Sequence, residues 1–251
     1  MQNIIWNKNL KTCLAENNIN RSYPATLLQG SNSPKYVIKI HPNSTLLMIG
    51  DSITDCGHIT PAAETVRDSL GYGYVKLINE FFSATCPKQH IRIINKGVNG
   101  NTVRNLAVRW QSDVLDLKPD WLSIMIGIND VWAKFDAGQP DELFVSIKEF
   151  ASTLEQLIYT TRSLLKGMVL MTPYCIEPNR ADPMRAMMDR YGDVVRQLAG
   201  QYQAILVDTQ EAFDCVLTEV HPTVLSLDRV HLNPAGHIIL AQAFLKALDN
   251  N

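Results

Sequence analysis

A chain of 251 residues, 46% hydrophobic and with a formal net charge of −2, is long enough to bury a substantial core. It lacks the polycationic character that nucleic acid or an anionic membrane surface would require, so neither is an expected partner. The five cysteines, Cys13, Cys56, Cys86, Cys175 and Cys215, are odd in number, widely spread and free of CxxC spacing, which argues against a disulfide framework or a zinc site.

The N-terminus, Met1-Gln2-Asn3-Ile4-Ile5-Trp6-Asn7-Lys8, has no apolar stretch of signal-peptide length, and no run approaches a membrane span. With thiols that read as reduced, the expectation is a cytoplasmic protein. Residues 1–44 form an N-terminal extension in which Thr26–Leu28 and Tyr36–Ile40 look like short strands around a turn-rich stretch. A hairpin alone is marginal in water. The extension is therefore expected to dock on the domain formed by residues 45–251 or on a second copy.

From residue 45 short apolar strands alternate with longer helical stretches, the pattern of βαβ units on a parallel sheet. Strands are predicted near 45–49, 91–95, 121–126, 168–172 and 204–208, and helices near 71–86, 102–116, 140–166, 183–201 and 234–248. Pro140, Pro183 and Pro234 stand where a first helical turn tolerates proline, the last just after Asn233, a plausible N-cap. The fold class is thus α/β, a three-layer, flavodoxin-like arrangement around a five-stranded parallel sheet.

Three of these strands run into small polar loops, and along the carboxyl edge of a parallel sheet such loops bind ligands. Leu46–Ile49 breaks at Gly50 into Asp51-Ser52, where a serine hydroxyl can stand exposed above the sheet. Ile91–Asn95 leads to Gly97-Val98-Asn99-Gly100, and Trp121–Ile126 to Gly127-Ile128-Asn129-Asp130. Far downstream, Asp228-Arg229-Val230-His231 puts a carboxylate and an imidazole three positions apart. A serine hydroxyl needs a base to accept its proton and an acid to fix that base's tautomer, so Ser52, His231 and Asp228 are the candidate catalytic set. The N–H groups of Ser52 and Gly100 and the side-chain amide of Asn129 are the candidate oxyanion hole. Taken singly each residue has a bland reading: Ser52 as a helix cap, Asp228 as a turn acceptor, the histidine as structural.

Together, Gly50-Asp51-Ser52, Gly97 with Gly100, Gly127–Asp130 and Asp228–His231 resemble the four blocks of the GDSL/SGNH hydrolase family, in order. The longer runs Ile49–Gly57, Gly71–Val75, Gly100–Arg104, Gly127–Trp132, Met171–Tyr174, Asp182–Arg185, Val207–Gln210 and Pro234–His237 are similar to its acetylxylan-esterase-like branch. The resemblance covers about residues 45–248. It implies the SGNH hydrolase fold, Ser52 as nucleophile, His231 as base and then acid, Asp228 as its partner, and Ser52, Gly100 and Asn129 as oxyanion donors. The implied activity is removal of short acyl groups, above all acetyl, from a small acylated carbohydrate without metal or organic cofactor, and because the branch tends to form oligomers a homo-oligomer is expected. One position departs from the pattern: an aromatic is expected before the aspartate, where this chain has Leu227.

Asp51, Trp132 and Tyr174 are candidates for the substrate pocket, although aromatics at such positions also simply pack. His237 falls within a helical pattern and reads as a solvated or capping side chain. Two other classes remain open: metal-assisted phosphodiester hydrolysis through Asp51, Asp55, His58, Asp228 and His231, and a phosphate-binding module built on the Gly97–Thr102 loop. A non-carbohydrate ester is a further alternative within the esterase reading.

Overall fold

The computed structural model describes residues 38–59, 69–136 and 144–249. Its strands are β1 (Thr45–Gly50), β2 (Arg92–Gly97), β3 (Trp121–Met125), β4 (Gly167–Met171) and β5 (Ile205–Val207), all parallel, in the order β2-β1-β3-β4-β5. β3 and β4 are buried along their whole length and β1 nearly so, as continuous apolar strands covered on both faces must be. β2, at one edge, alternates between buried and more exposed positions.

Helices α1 (Ser52–Asp55), α2 (Tyr74–Thr85), α3 (Val103–Trp110), α4 (Ile128–Trp132), α5 (Ile147–Arg162), α6 (Pro183–Gln201), α7 (Thr209–Leu217) and α8 (Pro234–Leu248) complete the domain. α8 packs on α2 and α7, while α5 packs on α3 and α6, giving a helical layer on each side of the sheet. α6 and α8 match their predicted ranges because both starts are capped: Asp182 accepts from the N–H groups of Met184 and Arg185, Asn233 accepts from Gly236, and a proline follows each cap.

α3 ends earlier than predicted, giving way to a π turn over Gln111–Leu115. α5 begins at Ile147 behind the N-cap Ser146; Pro140 and the predicted start of this helix lie outside the described residues. α1, α4 and α7 were not among the predicted helices.

Most of the N-terminal extension, including the expected strand at Thr26–Leu28, also lies outside the described residues. Its last residues pack on the domain: Ile38 bridges Asp249 in antiparallel fashion and the Lys39 N–H donates to the Leu248 carbonyl at 3.0 Å. Ile40 is buried in the core, a contribution of about 1.5–3 kcal/mol for a side chain of this size. Of the expected strand over 36–40, residues 36 and 37 lie outside the described residues, and the described part forms a single bridge at Ile38.

Candidate active site

The strand register brings the polar loops together. Gly50 pairs with Gly97 on one side and with Met125 on the other, so the chain leaves all three strands at one level. The sheet order reverses beside β1, and the crevice at such a switch point is where open α/β sheets bind ligands. α1 lies so close to β2 that a Cβ on Gly97 would stand 2.0 Å from the Asp55 backbone nitrogen. Only glycine lets Ser52 start its helix against the sheet.

Ser52 Oγ stands 3.1 Å from His231 Nε2, and His231 Nδ1 stands 2.6 Å from Asp228 Oδ2. The other carboxylate oxygen of Asp228 accepts the N–H groups of Val230 and His231, at 3.0 and 2.7 Å, and the hydroxyl of Ser226 at 3.0 Å. Partial burial alone would raise the Asp228 pKa, but the His231 hydrogen bond and these donors together hold it down to about 2. An ionised carboxylate only accepts hydrogen bonds, so His231 carries its proton on Nδ1 and presents a lone pair on Nε2 to the serine. The arrangement is therefore competent to take a proton from Ser52 and return it to a leaving group.

The Asp228–His231 loop is secured from several sides. Ser226 and Leu232 form an antiparallel bridge across it, the Ile176 N–H donates to the Arg229 carbonyl at 2.9 Å, and the Arg229 guanidinium reaches Asp182 at 3.1 Å. Tyr174 belongs to this support and not to the pocket: it is fully buried, packs tilted against Phe213 with ring centroids 4.6 Å apart, and donates its hydroxyl to the Val230 carbonyl at 2.9 Å. Burying the whole ring on Phe213 while satisfying the hydroxyl internally removes any reason for it to face substrate.

Asp51 is likewise corrected. It is 1% exposed and its carboxylate caps α1 through the Ile53 N–H at 3.0 Å, so it holds Ser52 from behind; burial raises its pKa. His237, expected to be solvated or capping, is buried, and burial pushes its imidazole down to about 4. Its Nδ1 accepts from the Tyr74 N–H at 3.2 Å, which leaves the neutral ring's proton on Nε2, 3.3 Å from Cys56 Sγ.

On the opposite side of Ser52, Gly100 turns with φ +74°, a conformation that favours glycine. Asn129 donates from Nδ2 to the Asn101 carbonyl at 3.0 Å, which uses one of its two amide hydrogens. Among the described residues neither the Ser52 N–H nor the Gly100 N–H has a protein acceptor. Two neighbours that the sequence reading did not assign hold this region. Arg109 ties together the Gly50 and Lys96 carbonyls and Asn101 Oδ1, at 3.0, 2.8 and 2.8 Å. Asp130, next to Asn129, accepts the Val103 N–H at 3.0 Å and so pins the start of α3, beyond Gly100, to α4.

Asp130 is buried, and burial pushes its carboxyl up to about 7, with Asp51 adding to the rise and the Val103 N–H and Arg104 opposing it. The folded protein thus holds this proton more tightly than the unfolded chain. The Asp130 contribution to stability accordingly falls as pH climbs from the reference value of about 3.9 towards about 7. Asp130→Asn has no proton to lose there. Relative to wild type it should gain stability between about pH 5 and about pH 8 in denaturant unfolding; a difference that is constant or moves the other way contradicts the buried-acid assignment.

Ser52, Gly100, Asn129, Trp132 and His231 line one cleft of about 630 Å³. The Trp132 ring meets the His231 imidazole edge-on with centroids 5.6 Å apart, so of the three pocket candidates it is the one that lines the cleft. Leu227 is 89% exposed beside the Asp228–His231 loop. The five residues of the phosphodiesterase alternative do not gather: Asp51 caps α1 and Asp55 pairs with His58. No group of three or more potential ligands is arranged to hold a metal ion among the described residues.

Residues 48–239 match the GDSL-like lipase/acylhydrolase family. The chain belongs to that family. It is 49% identical over 211 residues to an acetylxylan esterase of Geobacillus stearothermophilus, covering 84% of this chain and 96% of the relative. The crystal structure of that esterase, Axe2, superposes with a TM-score of 0.82 over the same shares of the two chains. The structure of LAE5, described as an α/β hydrolase enzyme from the metagenome of Lake Arreo, Spain, is 48% identical, with a TM-score of 0.81 over 83% of this chain and 96% of its own. As a member of the GDSL family this chain has the SGNH hydrolase fold expected from its sequence, and it is a carboxylic ester hydrolase. No described helix is long and apolar enough to cross a membrane.

Proposed function

We propose that this enzyme removes acetyl groups from carbohydrates through an acyl-enzyme on Ser52. The observation that carries the reading is the hydrogen-bonded chain from Ser52 through His231 to Asp228 at the sheet's switch point. Its similarity to an acetylxylan esterase supports the choice of substrate class.

In acylation His231 Nε2 takes the Ser52 proton as Oγ attacks the ester carbonyl. The resulting oxyanion accepts hydrogen bonds from the N–H groups of Ser52 and Gly100 and from the Asn129 amide. Collapse of this intermediate breaks the bond to the sugar oxygen, which leaves with the proton from His231. Water then loses a proton to the same nitrogen and attacks the acetyl carbonyl, and collapse of this second intermediate breaks the bond to Ser52 Oγ, which takes the proton back from His231 as acetic acid leaves and ionises to acetate. Asp228 stays ionised throughout and stabilises the imidazolium. All of this is chemistry that the side chains present can perform.

Hydrolysis of acetylated xylose and xylo-oligosaccharides beside p-nitrophenyl esters of increasing chain length tests the substrate class. The expected result is turnover of the acetylated sugars, with acetate ahead of butyrate and longer esters. Faster hydrolysis of octanoate than acetate, or no turnover of any acetylated sugar, would move the enzyme to non-carbohydrate esters.

The same reading includes a homo-oligomer and a cytoplasmic location. The apolar residues Trp6, Tyr23, Leu27, Leu28 and Tyr36 of the extension support the first, since a free tail would not carry them. The free thiols of Cys56, Cys86, Cys175 and Cys215 support the second.

A further inference from the structure

The ester chemistry leaves Tyr72, an aromatic side chain of the cleft, without a role. Tyr72 is 75% exposed, yet it lines the same cleft as Ser52 and Trp132. Its backbone is fixed: its N–H donates to the Cys56 carbonyl at 3.0 Å. Gly71 before it, at φ +71°, sits so tightly against the Asp55 and Cys56 carbonyls that a Cβ would fall 2.6 Å from both oxygens. The ring rests on Gly57, where an added Cβ would stand 2.3 Å from the ring carbon Cε1. Glycine at 57 therefore provides the seat that the ring occupies, and most of the ring is left open to solvent.

A large ring held in one place and left open forfeits the burial that ordinarily places aromatics in cores. The apolar C–H face of a pyranose is a suitable cover, because aromatic faces are electron-rich and meet polarised C–H groups well. The cleft is also lined by the polar residues Asn99, Thr102 and Asn105, of which Thr102 donates its hydroxyl to Asn105 Oδ1 at 2.8 Å. The volume of about 630 Å³ is far more than an acetyl group needs and falls in the range, about 300–1,000 Å³, of pockets that bury extended ligands.

We propose that Tyr72 is the stacking platform of a second sugar subsite, binding the pyranose next to the acetylated residue of an oligosaccharide. The proposal rests on the carbohydrate reading above and adds that the enzyme recognises more than the sugar bearing the ester. Tyr72 acts by binding; it takes no part in proton transfer.

The test compares kcat/KM on acetylated xylotriose with kcat/KM on p-nitrophenyl acetate, for wild type, Tyr72→Ala and Tyr72→Phe. The ratio of the two should fall about ten-fold in Tyr72→Ala, mainly through KM for the oligosaccharide, and should be kept in Tyr72→Phe, which retains the ring. Should the alanine variant not fold, Tyr72→Leu keeps bulk without the aromatic face and should show the same fall. An unchanged ratio in Tyr72→Ala, including one accompanied by a change of oligomeric state, overturns the proposal. An equal loss in Tyr72→Phe overturns stacking in favour of the hydroxyl. Wild type that cleaves the aryl ester but no acetylated xylosaccharide would instead overturn the carbohydrate reading itself, a separate outcome visible before any variant is made.

Discussion

Replacing Ser52 by alanine should lower ester turnover by about 10⁵–10⁶-fold, and His231→Ala should do nearly the same, because nucleophile and base act as one unit and neither works without the other. The fold should survive, since Ser52 Oγ has the exposed His231 contact as its described hydrogen bond and contributes little packing. Asp228→Asn should lose less, about 10⁴-fold, because an amide at this position still receives the backbone N–H groups while failing to hold His231 in its Nδ1–H form. Steady-state hydrolysis of p-nitrophenyl acetate measures all three. Turnover like that of wild type in Ser52→Ala would end the nucleophile assignment, and a larger loss in Asp228→Asn than in His231→Ala would mean that the roles are exchanged.

Asn129→Ala should lower kcat by about 10²–10³-fold with little change in KM. The ground-state ester carbonyl carries little charge, so the amide hydrogen bond matters mainly once the oxygen becomes anionic. In the free enzyme the Asn129 amide is already oriented by its bond to the Asn101 carbonyl, so no reorganisation is needed when substrate arrives. A rise in KM with unchanged kcat would assign Asn129 to binding of the ground state.

The centre of the sheet could be read from sequence because β1, β3 and β4 are short apolar runs stopped by a glycine or a polar turn, and burial on both faces demands that composition. β1 and β3 differ from their predicted ranges by a residue at most. α6 and α8 could be read to the residue because a capping Asp or Asn followed by proline marks a helix start chemically. α1 and α4, with four and five residues, are too short to express a helical period. α7 does carry a start signal: Asp208 and Glu211 stand three apart, and Asp208 accepts the Glu211 N–H, the spacing of an N-terminal capping motif.

The candidate site divides along the same line. Ser52, Asp228 and His231 stand out because their residue types and loop positions define a reaction, and the structure brings them within hydrogen-bonding distance of one another. The pocket was less legible. Whether an aromatic faces substrate or core depends on packing several elements away, and Tyr174 turned inward onto Phe213 while Tyr72 stayed on the surface. Arg109 and Asp130 were invisible as positioning groups, because the Gly50 carbonyl that Arg109 holds and the Val103 N–H that Asp130 holds are backbone groups distant in sequence.

The most direct test of the central claim, that Ser52 becomes acylated through His231, is covalent labelling with a p-nitrophenyl alkylphosphonate followed by intact-mass and peptide mass spectrometry. The account predicts loss of activity in step with one adduct per chain, carried by Ser52 and absent from Ser52→Ala and His231→Ala treated in the same way. An adduct on another residue, or full inactivation of wild type with Ser52 unmodified, would contradict it.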